Sequence, residues 1–145
     1  MVSTPKVKNR GEPAGGVAAT LRQHGIKPTP QRLAIAAVIL AKHQHLSAEQ
    51  VLARVNTTHR LLSKATVYNT LRLFGERGLV REVVVDPARV YFDSNTVAHH
   101  HLYDARTGEI TDISPEHLAV TGSPPLPQGM EVAAIEVVVR TRRQS

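Results

Sequence analysis

The chain has 145 residues, a formal net charge of +6 and an ordinary apolar fraction, enough for one medium domain or two small ones. It contains no cysteine, which excludes disulfides, thiolate zinc sites, iron–sulfur ligation and a cysteine nucleophile, so any metal must sit on His, Asp or Glu. No apolar run approaches the ~20 residues needed to cross a bilayer, and the N-terminus lacks the hydrophobic core of a secretory signal, so a cytoplasmic protein is expected.

The charge is unevenly placed. Residues 1–92 carry 14 Lys and Arg against 5 Asp and Glu, whereas residues 93–145 carry 4 against 7. A basic front joined to a mildly acidic rear is the pattern of a polyanion-binding module with a separate second function, although lysines and arginines that merely solvate helix faces give the same count.

Residues 1–16 combine Pro, Gly and charge without apolar periodicity and are expected to form a disordered arm. A short helix is predicted over Val17 to His24, stopped by Gly25. Thr29 suits the N-cap and Pro30 the first position of a second helix, which should end near His43 and carries Leu33, Ala36, Ala37 and Leu40 at core-facing spacing. Ser47 and Gln50 fit a capping box that opens a third helix, with Val51, Leu52 and Val55 as its buried stripe. Ser63 is the next N-cap, and the helix it opens runs towards Gly75 with Val67, Leu71 and Phe74 facing inward. Lys64, Thr66, Tyr68, Asn69 and Arg72 are left largely free to meet solvent or a ligand.

Leu79 to Val85 and Arg89 to Phe92 flank Asp86-Pro87-Ala88 and read as a β-hairpin. Three helices followed by a hairpin is the order of a winged helix-turn-helix, in which the last helix enters the major groove and the hairpin lies against the backbone; a small α+β domain that binds nothing has the same order. A second hairpin is expected from Ala98–Asp104 and Glu109–Ile113, around Arg106-Thr107-Gly108. The prolines between Ser114 and Gly129 leave room for at most one helical turn around Glu116 to Val120, and Met130 to Val139 reads as a strong strand. A sheet of about three strands does not bury both faces alone, so this half is expected to dimerise, and a palindromic duplex would match the two-fold axis.

The segment from Tyr91 to Asp112 places Asp93, His99, His100, His101 and Asp112 within about twenty residues. In an extended chain His99 and His101 share a face and His100 points away. Asp93 and Asp112 would complete a site of nitrogen and oxygen donors if the fold brings them together; a solvated histidine cluster is the plainer alternative.

The runs Lys27-Pro28-Thr29-Pro30-Gln31-Arg32, His45-Leu46-Ser47-Ala48-Glu49 and Ala65-Thr66-Val67-Tyr68-Asn69-Thr70-Leu71, together with the histidine segment, resemble the Fur (ferric uptake regulator) family of metal-dependent transcription regulators over roughly residues 18–141. Tyr91-Phe92-Asp93-Ser94-Asn95-Thr96, the triple histidine and the ending from Gly129-Met130-Glu131 to Arg142-Arg143 look most like its iron response regulators. The resemblance implies an α+β chain divided into a disordered arm (1–16), a winged-helix DNA-binding domain (17–92), a hinge (93–97) and a small α/β dimerisation and metal-sensing domain with a short antiparallel sheet (98–145).

It implies a dimeric repressor of iron or haem homeostasis and not an enzyme. A divalent metal, Fe or Mn with Zn also chemically suitable, would be held by His45, Asp93, His99, His101 and Asp112; haem is implied as a second ligand with His99, His100 and His101 as candidates. The DNA partner would be an A·T-rich palindromic operator, with no membrane involved. Tyr68 and Asn69 fall where the family reads the major groove, Lys27 where it enters the minor groove, and Arg32, Lys64, Thr66 and Arg72 suit phosphates. The alternative is a peroxide sensor that oxidises its own His45 or His99 through bound ferrous iron. A hydrolytic metalloenzyme, the third class, has no general base beyond the ligands themselves. Three departures from the family stand out. Asp104 and Thr107 replace the first cysteine pair of a structural zinc site, Ile135 replaces a ligand of a second histidine site, and the C-terminal region is short.

Overall fold

In a computed structural model of the chain the described residues are 16–57 and 62–145. The disordered arm expected for residues 1–16 lies outside them, except for Gly16, which opens the first helix. The chain divides into two compact units, one ending at Thr96 and the other beginning at Val97.

The first unit contains α1 (Gly16–Gln23), α2 (Pro30–Ile39), β1 (His45–Ser47), α3 (Ala48–Val55), α4 (Lys64–Glu76), β2 (Arg81–Asp86) and β3 (Arg89–Asp93). Its helix boundaries are set by local chemistry. Gly25 takes a left-handed φ of 70° and ends α1. Thr29 Oγ1 accepts from the Arg32 N–H at 3.2 Å ahead of Pro30. Ser47 and Gln50 form the reciprocal capping box, at 3.2 and 2.9 Å. Ser63 Oγ accepts from the Thr66 N–H at 3.1 Å and opens α4. The core gathers Leu21, Ile35, Ile39, Val51, Val55, Val67, Leu71, Phe74 and Phe92, all without solvent exposure. Helices followed by the β2–β3 hairpin make this unit a winged helix-turn-helix.

Several expectations are corrected. Helix α2 ends at Ile39, not near His43, and its buried residues are Ile35, Ala36 and Ile39, with Ala37 exposed. Every residue from Leu33 to Leu40 is apolar, so periodicity alone does not say which side faces the core. On α3, Ala48 joins Val51 and Val55 in the core while Leu52 is only half-buried. Helix α4 continues through Gly75 to Glu76. Strand β1 was not anticipated: three residues between two helices pair antiparallel with β3, giving the order β1-β3-β2.

The second unit is a sheet of β4 (His100–Asp104), β5 (Ile110–Ile113) and β6 (Val138–Thr141) in the order β5-β4-β6. The β4–β5 hairpin is antiparallel as expected, its turn closed by Asp104 Oδ1, which accepts from the Arg106 N–H at 2.8 Å. That bond, helped by the Thr107 N–H, holds the exposed Asp104 carboxyl below its ordinary pKa. Strand β6 pairs parallel with β4, so the sheet is mixed. The strand expected over Met130 to Val139 is also shorter than its β-forming residues imply. The ladder begins at His101↔Val138, and a segment without a facing strand has nothing to pair with, whatever its propensity. Residues 115–117 form a turn. No helix among the described residues is long and apolar enough to cross a membrane.

Candidate metal centre and nucleic-acid interface

Strand β1 determines the first donor pair. Its register sets His45 directly opposite Asp93, and His45 Nε2 lies 2.9 Å from Asp93 Oδ2. Asp93, which the sequence reading put at the start of a hinge, is the last residue of β3 and is 1% exposed. Its other oxygen accepts from the Asn95 N–H at 2.8 Å. Ser94 clamps the same strand end: its hydroxyl donates to the Lys42 carbonyl at 2.9 Å and accepts from the Gln44 N–H at 3.2 Å. Sequence reasoning missed Ser94, and a serine next to a carboxylate carries no signal of this role by itself.

The second unit holds the other donors. His101 stands opposite Asp112 in the β4–β5 ladder, and Asp112 Oδ1 lies 3.0 Å from His99 Nε2 and 3.6 Å from His101 Nε2. The two imidazoles are 4.3 Å apart between centroids, and one donor atom from each of His99, His101 and Asp112 falls within 4.8 Å of the others. His99 Nδ1 donates to the Val97 carbonyl, which fixes the ring orientation and directs Nε2 at the carboxylate. Either a proton or a metal ion on Nε2 satisfies the facing carboxylate oxygen at that distance. Nitrogen and oxygen donors of this kind fit a divalent first-row ion, iron, manganese and zinc alike.

His100 is turned away, as alternation along a strand requires. Its Nδ1 accepts from the Val137 N–H at 3.0 Å and so steadies the entry to β6. Of the three haem candidates the fold therefore brings His99 and His101 together and gives His100 a different task.

The residues expected to meet DNA all lie in the first unit. Asn69, Lys64, Arg72 and Lys27 are exposed. Arg32 is half-buried and donates to the Lys27 carbonyl at 3.0 Å, tying the start of α2 to the loop before it. Tyr68 is not largely free: it is half-buried, with its ring edge-on to Phe92 at 6.2 Å and the Arg72 guanidinium 5.9 Å from its centroid. Thr66 is also half-buried, its hydroxyl 2.9 Å from Ser63 Oγ.

Residues 23–139 match the profile of the Ferric uptake regulator family. The peroxide-responsive repressor PerR of Staphylococcus aureus strain Mu50 is 37% identical over 94 residues, covering 65% of this chain and 64% of the relative. The same repressor from strain USA300 is 36% identical over the same shares. The chain thus spans about two-thirds of the length of these relatives. Among solved structures, the ferric uptake regulator of Pseudomonas aeruginosa with manganese has a TM-score of 0.66 at 24% identity, covering 89% of this chain and 98% of that one. The Vibrio cholerae ferric uptake regulator has a TM-score of 0.66 at 21% identity, covering 87% and 98%. At such identities the likeness establishes a shared fold.

Proposed function

Because the chain belongs to the ferric uptake regulator family, we propose that it is a dimeric, metal-responsive DNA-binding repressor in which one divalent cation is shared by His45, Asp93, His99, His101 and Asp112. The observation that carries this reading is that each unit sets an imidazole facing a carboxylate, 2.9 Å apart across the β1–β3 pairing in the first and 3.0 Å apart just before β4 in the second. Only residues 94–98 separate Asp93 from His99 along the chain. An ion held by both sets favours one angle of a hinge over residues 93–97, and it shifts DNA affinity only through that differential binding. Operator binding with and without Fe²⁺, Mn²⁺ and Zn²⁺ tests the reading; affinity that is indifferent to all three would refute it.

The second unit, from Val97 or Ala98 onward, serves dimerisation in this reading. Its three-stranded sheet leaves Leu102 and Val139 more than a third exposed, as expected of a face that a second copy covers. Two-fold symmetry then matches a palindromic operator. Asn69, exposed on α4, is the base reader. Asparagine bonds bidentately to adenine, so an A·T-rich site is expected. Asn69→Ala should cost ~1–3 kcal/mol on the selected operator, and an equal loss on scrambled DNA, measured by fluorescence anisotropy, would mean that it reads no base. Tyr68 supports it from the same helix, Lys27 enters the minor groove, and Arg32, Lys64, Thr66 and Arg72 contact phosphates.

Iron is the ion implied by the resemblance to iron response regulators. The engagement of His100 with Val137 favours an ion over haem as the ligand of His99 and His101. A second reading, peroxide sensing, is favoured by the relatives named as peroxide-responsive repressors. The two separate on one measurement. After peroxide treatment of the iron-loaded protein, peptide mass spectrometry should show one added oxygen on His45 or His99 for a peroxide sensor, absent with manganese; unmodified histidines under both metals leave iron sensing.

A further inference from the structure

The first turns of α3 and α4 are joined by an ion pair: Lys64 Nζ lies 2.6 Å from Glu49 Oε1. Both side chains are more than 60% exposed, so the pair contributes little to stability. Nor does helix electrostatics explain Lys64. It occupies the first position of α4, where the macrodipole disfavours a cation, and that first turn contains no acidic residue of its own. Glu49 supplies the missing negative charge from α3. Its carboxyl stays ionised below the usual range because Lys64 bonds to it and lies close, with a smaller contribution from Arg89 at the start of β3.

Resting on the DNA-binding reading above, we propose that Glu49 limits the strength of DNA binding: it holds Lys64 in the free protein and surrenders it to a DNA phosphate on binding. A phosphate and a carboxylate compete for the same ammonium. Once Lys64 turns to DNA, the Glu49 carboxylate is left beside a polyanion and takes up a solvent cation, which offsets the counterion that Lys64 releases. This penalty is the same for every sequence, because a phosphate contact carries no base information. Glu49 therefore lowers the affinity for every duplex by the same factor, and the ratio between operator and scrambled DNA is left to base reading by Asn69.

The test uses the full metal-loaded chain and two duplexes, one selected in vitro and one scrambled, over a range of salt. Glu49→Gln should tighten binding to both by roughly threefold to tenfold at low salt and steepen the salt slope by about 0.9. Lys64→Gln should weaken both, and adding Glu49→Gln to it should give much less gain than in the parent chain. If the parent binds DNA and Glu49→Gln changes neither affinity nor slope, or gains as much without Lys64, the exchange is refuted. If the parent binds no duplex in any metal state, it is the DNA-binding reading that fails, and the exchange falls with it.

Discussion

Replacing His99 with alanine is expected to lower the affinity for Mn²⁺ by more than ~100-fold, since loss of a mere outer-sphere partner of a metal ligand already costs about 10- to 100-fold. The ring lost is the one whose orientation is fixed by the Val97 carbonyl and whose Nε2 faces Asp112 at 3.0 Å. What remains in the second unit is His101, 3.6 Å from the same carboxylate, and two donors hold an ion far less well than three. Isothermal titration with Mn²⁺ reads the effect directly. His100→Ala is the internal control: its ring bonds to the Val137 N–H on the other face of β4, so metal affinity should stay within a few-fold. His45→Ala then asks whether the ion is shared. A large loss from this variant, whose partner Asp93 lies in the first unit, supports sharing; unchanged Mn²⁺ affinity would mean that the second unit binds the ion alone, and a metal-driven change of hinge angle would lose its basis.

Much of this arrangement could be read from residue order because local chemistry is strong there. Thr29, Ser47 with Gln50, and Ser63 are caps whose hydrogen bonds lie within three residues, and Val67, Leu71 and Phe74 mark the inner face of α4 against polar neighbours. Alternation likewise separated His100 from His99 and His101. What stayed hidden depends on partners distant in sequence. Strand β1 exists because Leu46 and Ser47 find Phe92 and Tyr91 across the sheet, and a three-residue strand carries no periodicity to detect. Leu46 before the Ser47 cap and Val51 four residues after it occupy hydrophobic-staple positions, and both are buried, a signal that would have predicted how the chain enters α3. On α2 the unbroken apolar run from Leu33 to Ile39 erased the stripe that would have placed Ile35 inside and Ala37 outside. The strand around Val138 is limited by where β4 starts, which the β-forming residues upstream of it do not encode.

The largest stability loss is expected at Phe92, where structure and proposed function meet on one side chain. Phe92 is fully buried, stands opposite Leu46 of β1 on one side and Glu82 of β2 on the other, and receives the edge of Tyr68 from α4. Phe92→Ala removes a large core ring and leaves a cavity, which costs about 3–5 kcal/mol, a large part of the ~5–15 kcal/mol that holds a domain folded. The loss should not be uniform. Leu46 loses its cross-strand partner, so β1 is the element most loosened, and with it goes the register that sets His45 opposite Asp93. Phe74→Ala, in α4 and equally buried but outside the β1–β3 pairing, provides the comparison. Urea unfolding should show losses of similar size for the two variants. Mn²⁺ titration under conditions where both stay folded should then show the weaker binding in Phe92→Ala. Equal metal affinity in the two variants would mean that the His45–Asp93 pairing does not depend on the Leu46–Phe92 contact, and that β1 is held in place by the Ser94 clamp on Lys42 and Gln44 instead.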